Sequence, residues 1–507
     1  MFDLGTSFLA SVERDPDAVA IVDGALRLTY ADWYRRVSSV ATRLQGFGLA
    51  KGDHVATVLR NRWEAATIHW AGQFLGLIVT PFNWRAKAEE LDYLLGNSEA
   101  KLCICEAISR DAAAAAAAHA IPVVDLDADH GFAADDPSAP PVEPRAAADD
   151  WSLMLYTSGT TGNPKGVPRR HCAERMAALA HVAQNTYRHG ERTLGVMPLY
   201  HTMGVRSLIA MSLVGGTFVC LPRFDAGRAL ELIREERITC LYLVPTLYHD
   251  LLHHPDFAGA DISSVEFLGF AGASMTDGLL NALQDAFRPK LFVNHFGSSE
   301  IYTFTIDQNA PAKPGSAGRA ALNARVKVAK FGQGDPGLIA APREEGEVIV
   351  SLDGDEAFEG YWKRPDADAK ALRKGWYFTG DSGYFDEEGD LFVTGRVDDM
   401  IITGGENVAP VEIESCLSLH PQVNDVAVVG LPDERWGSII AAFVIAEGDL
   451  APDTLDGHCR RSGLADFKRP RRYVFVSELP KSPVGKLLRR KLVAGEYHEI
   501  KHPDTRS

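Results

Sequence analysis

Between Thr217 and Glu300, short apolar runs alternate with segments in which apolar residues return every three or four positions. "TFVCLP", "TCLYLVP", "VEFLGFAG" and "KLFVNHFGSSE" are short and apolar, with turn residues close by, and predict strands. "DAGRALELIREERI", "TLYHDLLHH" and "TDGLLNALQDAF" carry the helical period, the first with Asp225 placed as its N-cap. Such alternation implies a parallel sheet covered by helices. In sheets of this kind ligands bind in the loops after the carboxyl ends of the strands. "GFAGAS" and "NHFGSSE" occupy such ends. So does "YTSGTTGNPKG", which follows the strand-like "WSLML" and leads into a stretch that turns helical.

From Val326 to Arg396 the pattern becomes β, with "EGEVIVSL" and "GWYFTGDSGYFDEEGDLFVTG" as strands and "DEEGD" as a hairpin turn. Past Arg396 a smaller α+β unit follows. Its predicted helices are "VEIESCLSLH" and "KLLRRKLVAG", and its strands "VNDVAVVGL", "IIAAFVIAE" and "RRYVFVSEL". "DAAAAAAAHA" predicts a surface helix, alanine being the strongest helix former. The Pro-, Ala- and Asp-rich stretch ending at Asp150 reads as an exposed connection. The expected fold is α/β, in two domains. Residues 1–396 form a large domain of helix-covered sheets with a β-rich subdomain, and residues 397–507 a small α+β domain.

Composition narrows the function. The chain has 507 residues, 46% hydrophobic and 24% charged, enough for a large core. A formal charge of −16 argues against nucleic acid or an anionic membrane as partner, so an anionic ligand needs a local basic cluster. The seven cysteines are scattered, and only Cys103 and Cys105 lie close together. Without metal-site spacing they predict buried thiols in a reducing compartment. No basic segment precedes an apolar run near Met1, and no run approaches the ~18 apolar residues of a membrane span. A cytoplasmic protein is expected, with a homodimer left open.

The glycine-rich loop carries chemistry. Thr157, Ser158, Gly159, Thr160, Thr161 and Gly162 offer hydroxyl and backbone N–H donors, and Lys165 a point charge, which together suit phosphate oxygens. The spacing is not that of a Walker loop, and by itself the loop fits a flexible surface turn equally well. Six further stretches follow in order: "MPLYH", "GFAGAS", "HFGSSE", "YFTGD", "GRVDDMIITGGENVAPVEIE" and "LPKSPVGK". Together the seven resemble the adenylate-forming superfamily of acyl-CoA synthetases, peptide-synthetase adenylation domains and firefly luciferase, over nearly the whole chain. "GRVDDMIITGGEN", "ERWG" and "LADFKRPRRY" are most similar to its 4-chlorobenzoate–CoA ligase (aryl-CoA ligase) branch.

The resemblance implies an AMP-forming acid–CoA ligase using ATP, Mg²⁺ and coenzyme A. The loop would grip the β- and γ-phosphates. Glu300 would help hold Mg²⁺, and Gly272, Ala273 and Ser274 would line the adenine and acyl group. Phe296 stands where the family usually has a tyrosine stacked on adenine, and it keeps the flat apolar face. Gly297 and Ser299 belong to the same loop. Asp381 would accept from the ribose hydroxyls, and Arg396 would contact ribose or phosphate. Asp398 matches a hinge about which the small domain swings. Lys486 matches the lysine that stabilises charge on the α-phosphate during adenylation. Gly404 and Gly405 would replace it after rotation and let the thiol arm pass. Arg85, Trp436, Phe467, Lys468 and Arg469 match coenzyme A contacts, with Arg471 and Arg472 in the same basic cluster.

His201 resembles the gate between acyl and adenylate sites. Met203, Val205, Arg206, Asn294 and His295 are expected to line a compact acyl pocket suited to a small aromatic acid of benzoate or furoate type. Its polar groups call for a ring heteroatom or hydroxyl on the substrate. Alternatives are another small or dicarboxylic acid, transfer to a carrier protein or to oxygen, and a non-catalytic nucleotide-binding homologue. The basic cluster and Trp436 favour coenzyme A, and intact Lys165, Glu300, Asp381 and Lys486 favour catalysis.

Overall fold

The structure, a computed structural model, describes residues 1–116, 121–157, 163–403, 406–481 and 487–500, the side chains of Asp398 and Asn407 excepted. A nine-stranded sheet carries the α/β pattern. Leu291–Phe296, Phe267–Ala271, Cys240–Leu243, Arg192–Gly195, Thr217–Cys220 and Val19–Asp23 lie side by side, each parallel to its neighbours. Antiparallel strands close both edges: Leu26–Thr29 on one side, Thr305–Asp307 and Arg319–Ala320 on the other. The central strands Phe267–Ala271, Cys240–Leu243 and Thr217–Cys220 are buried throughout, as strands covered on both faces must be.

A six-stranded sheet pairs Val123–Asp125, Leu102–Cys105, His54–Val58, Ile78–Pro81, Trp151–Thr157 and Lys165–Arg170 in that order. One hydrophobic core joins the two sheets through Phe8, Trp33, Trp70 and Phe74. These rings belong to the helices Leu4–Arg14, Tyr30–Gly46 and Trp63–Leu75. Phe8 lies 4.6 Å from Trp70 and meets Trp33 edge-on at 5.1 Å.

The structure refines three of these readings. The glycine-rich loop does not lead directly toward a helix: Lys165–Arg170 runs antiparallel to Trp151–Thr157, and only then does the helix His171–Gln184 begin. Pro168 masked this strand, but Lys165–Arg170 is an edge strand, where proline is tolerated. Within the alanine tract, Arg110–Ala115 is helical and partly exposed, as expected of a surface helix, while Ala113 and Ala116 are buried; residues 117–120 lie outside the described ones. The Pro-rich connection is fastened to the helix Tyr30–Gly46 rather than simply exposed. Arg43 Nη1 donates to the carbonyls of Phe132 at 2.7 Å and Ala134 at 2.9 Å, and Phe132 and Val142 are buried.

The β-rich region is a five-stranded sheet in which Val326–Ala329, Gly346–Ser351, Leu372–Arg373, Trp376–Phe385 and Leu391–Arg396 pair antiparallel. In the small unit Val423–Asp433 and Gly437–Ala446 are antiparallel, and Arg472–Phe475 adds in parallel. The helix Pro452–Arg461 escaped prediction because only Leu455 and Cys459 mark its buried face. Between the small unit and the large one, Ser418 Oγ lies 3.5 Å from Gly278 N, His249 Nε2 lies 3.0 Å from the Asn424 carbonyl, and the helix Pro410–Ser418 also packs beside the strand Leu391–Arg396. All seven cysteines are free thiols and six are buried. Burial pushes the Cys103 thiol up to about 12.

Candidate active site

Thr157 and Lys165 face each other across the hairpin whose tip is the glycine-rich loop. Ser158, Gly159, Thr160, Thr161 and Gly162 lie outside the described residues. The Lys165 ammonium sits 4.1 Å above the ring of Tyr361. Burial lowers its pKa, and the nearby Glu300 carboxylate draws it partly back. The Tyr361 hydroxyl donates to Glu300 Oε1 at 2.6 Å, which fixes the buried carboxylate. Such a carboxylate fits Mg²⁺, a hard ion usually held by one or two carboxylates together with phosphate oxygens. Gly297 is sterically required in this loop, since a Cβ there would sit 2.1 Å from the Tyr302 carbonyl oxygen. Ser299 is half-buried between it and Glu300.

Asp381 and Arg396 are opposite residues of one β-hairpin, and Arg396 Nη1 donates to Asp381 Oδ1 at 2.8 Å. Arg396 is close enough to Lys165 to depress it further. Phe296 ends its strand half-buried, edge-on to Phe304 at 5.1 Å. Gly272 turns the chain out of the strand Phe267–Ala271 at φ 83°, followed by half-buried Ala273 and exposed Ser274. Thus three sheet edges converge: the hairpin at Lys165, the loops after Ala271 and Phe296, and the Asp381–Arg396 hairpin. They gather the cations Lys165 and Arg396 with two carboxylates, Glu300 held by a phenol and Asp381 paired with Arg396, a set of charged groups that suits a nucleotide and its phosphates.

His201 caps the helix Thr202–Leu213, its Nδ1 accepting from Met203 N at 3.3 Å. That bond leaves the proton on Nε2 of the neutral ring. Met203 packs with Met197, Tyr242, Val244 and Ala271 as an apolar wall. Arg206, one turn along on the same helical face, is buried. Its Nη1 donates to Thr303 Oγ1 at 2.6 Å and its Nη2 to the Tyr242 hydroxyl. Val205 does not belong to this wall: two residues from Met203, it turns into the main core. Asn294 does not belong either, because its Nδ2 donates to the Ser316 carbonyl at 2.8 Å, on the strand face opposite His295. His295 is buried against Tyr242, their ring centroids 5.0 Å apart.

Arg85 stacks on Trp84 at 3.9 Å and lies beside Tyr200, whose phenol burial pushes up to about 12 against the pull of that guanidinium. In the small unit, Arg471 lies 4.3 Å over the Trp436 ring, and Phe467 is exposed. Lys468 is already paired with Glu412 at 2.6 Å, and Arg469 with Asp456 and Asp466. A phosphate at Lys468 or Arg469 must displace carboxylates; at Arg471 it meets a cation already laid on an aromatic face. Gly404, Gly405 and Lys486 lie outside the described residues. The backbone at Asp398 forms a single 3₁₀ turn, Val397–Asp399, leading out of the Leu391–Arg396 strand.

Residues 8–362 match the family model of the AMP-binding enzyme, and residues 412–486 that of the AMP-binding enzyme C-terminal domain. The chain belongs to the AMP-binding enzyme family. It is 36% identical to a 4-chlorobenzoate–CoA ligase of Arthrobacter sp, over 95% of this chain and 93% of that one. It is 35% identical to the long-chain-fatty-acid–CoA ligase FadD13 of Mycobacterium tuberculosis, over 92% of each. The anthranilate CoA ligase AuaEII, solved with anthranoyl-AMP, superimposes with a TM-score of 0.89 at 26% identity, covering 97% of both chains. These relatives differ widely in the acid they are named for, so the acid has to be read from this enzyme's own pocket.

Several residues of this AMP-binding enzyme's site escaped the sequence. Tyr361 in "EGYWKRP" has no motif to mark it. His181, Asn185 and Tyr242 lie beside His295, and their one signal was a histidine in the alanine-rich helix "MAALAHVAQ". A polar residue on a buried helix face calls for a partner. Among the described residues no helix is long and apolar enough to cross a membrane.

Proposed function

We propose that this AMP-forming acid–CoA ligase activates a small aromatic or heteroaromatic carboxylic acid. One observation carries the reading. Tyr242, packed with Met203, Val244 and Ala271 in the apolar wall, forms with His181 and His295 a set of three rings whose centroids lie 4.8–5.1 Å apart. A flat ring fits against such a floor, whereas a long chain needs a tunnel through it. In the first step the acid's carboxylate oxygen attacks the α-phosphorus of ATP, the bond to pyrophosphate breaks, and acyl-AMP forms. Lys165 and Thr157 hold the departing phosphates, Asp381 the ribose, and Arg396 the charge between them; Lys486 stabilises the crowded α-phosphate. Mg²⁺, when bound through Glu300, supplies neutralising charge to the phosphate oxygens. In the second step the coenzyme A sulfur attacks the acyl carbon and AMP leaves. His201 gates the acyl group, and Trp436 with Arg471 holds the nucleotide end of coenzyme A.

The division into residues 1–396 and 397–507, hinged at Asp398, serves this two-step chemistry, and the free thiols suit a reducing cytoplasm. The test is ATP- and CoA-dependent AMP release across a panel of acids. Benzoate-sized or smaller aromatic acids are expected to exceed C8 and longer fatty acids in kcat/KM by at least ~10²-fold, since overlap with a packed core is not relieved by small shifts. A fatty acid that outperforms every aromatic acid would overturn the reading.

A further inference from the structure

The floor of the acyl pocket has a defined hydrogen-bonding polarity. Asn185 Nδ2 donates to the His181 carbonyl at 2.8 Å, which fixes which end of the amide is nitrogen. The same Nδ2 lies 3.1 Å from His181 Nδ1, so that ring nitrogen accepts and the His181 proton resides on Nε2. At the other end, Asn185 Oδ1 only accepts. His295 Nε2, 3.1 Å away, therefore carries the proton, and His295 Nδ1 keeps a bare lone pair. Burial first, and then the Arg206 charge, depress both imidazoles well below the ordinary range, so both rings are neutral.

Three buried polar atoms of this cluster have no partner among the described residues: His181 Nε2, a donor; His295 Nδ1, an acceptor; and Arg206 Nε, a donor. Orphaned buried groups of this kind cost stability unless a ligand satisfies them. Two donors and one acceptor are the complement of a hydroxyl group, which accepts twice and donates once. A ring oxygen would leave His295 Nδ1 unmet, and an amino group would offer donors where the cluster already has two. The charges point the same way. Arg169 pairs with Glu174 at 2.8 Å, and Arg206 is faced by the buried carboxylate of Glu356, which burial raises and Arg206 draws back. With a carboxyl group already beside each guanidinium, a second substrate carboxylate would have to compete with it.

We propose that the acid bears a hydroxyl group remote from its carboxylate, bound by His181 and His295, the pair that sets this enzyme's specificity. This rests on the aromatic-acid reading above and narrows it to hydroxyaryl acids. The experiment compares kcat/KM for benzoate with the 2-, 3- and 4-hydroxy-, fluoro- and aminobenzoates and with the benzene dicarboxylates. One hydroxy isomer is expected to exceed benzoate and its own fluoro isostere by ~10²-fold or more, as for sites built around a substrate hydroxyl. In His181→Leu and His295→Leu the hydroxy-to-fluoro ratio should collapse to within a few-fold, with the KM for ATP unchanged. The ratio is taken within one preparation, so partial unfolding cancels. A fluoro, amino or dicarboxylic acid that outperforms every hydroxy isomer, or a ratio unmoved in both variants, would overturn the proposal. A panel in which only fatty acids turn over would instead overturn the aromatic-acid reading beneath it.

Discussion

At the residue scale, the site depends on a few side chains that fix others. Tyr361 is the clearest case, its ring under the Lys165 ammonium and its hydroxyl on Glu300. Tyr361→Phe keeps the ring and removes only the donor. Hydrogen bonds to charged groups contribute ~1.5–3 kcal/mol, so adenylation should slow by ~10–10²-fold. Acid-dependent pyrophosphate exchange as a function of Mg²⁺ checks this: the apparent Mg²⁺ affinity should fall while the KM for the acid stays put. An unchanged Mg²⁺ dependence would show that the phenol does not position Glu300 for the metal. Asn185 plays the same kind of part in the proposed acyl pocket, since its amide sets the tautomers of two histidines. No single-residue pattern announces such roles, because each depends on residues far apart in the chain.

At the element scale, the strands and helices between Thr217 and Glu300 were legible because period and turn residues agree there. Asp225 indeed caps the helix Ala226–Glu235, accepting from Arg228 N at 2.8 Å. What was illegible followed from context. The edge position that admits Pro168 exists only once the sheet is assembled. Faces were illegible for the same reason: Val205 packs into the main core and Asn294 donates to the Ser316 carbonyl, away from the neighbours Met203 and His295 of the proposed pocket. The basic stretch "FKRPRR" is a third case, where Glu412 and Asp456 from neighbouring helices, with the adjacent Asp466, pair Lys468 and Arg469. Arg471, on the loop leading into the strand Arg472–Phe475 and stacked on Trp436, is thus expected to matter more for coenzyme A. Arg471→Ala should raise the KM for CoA by ~10-fold, a loss in line with a cation–π and phosphate contact. Lys468→Ala with Arg469→Ala should raise it less, and steady-state kinetics at saturating ATP and acid separate the two. The reverse order would place the phosphate at Lys468 instead.

At the scale of the whole molecule, the two sheets and the β-rich region build a nucleotide corner, and the small unit packs against it through the helix Pro410–Ser418. Gly278 shows how close that meeting is: a Cβ there would sit 2.5 Å from the Ser418 carbonyl oxygen. A unit that re-docks between the two proposed chemical steps must break and remake these contacts. On this reading a single active site makes acyl-AMP with Lys486 and then discharges it to coenzyme A without it. Single-turnover measurement of both half-reactions in Lys486→Ala tests this most directly. Acyl-AMP formation should slow by ~10²–10³-fold, the loss typical of one electrostatic donor, while preformed acyl-AMP and CoA should yield thioester at nearly the wild-type rate. Equal impairment of both half-reactions would contradict the account.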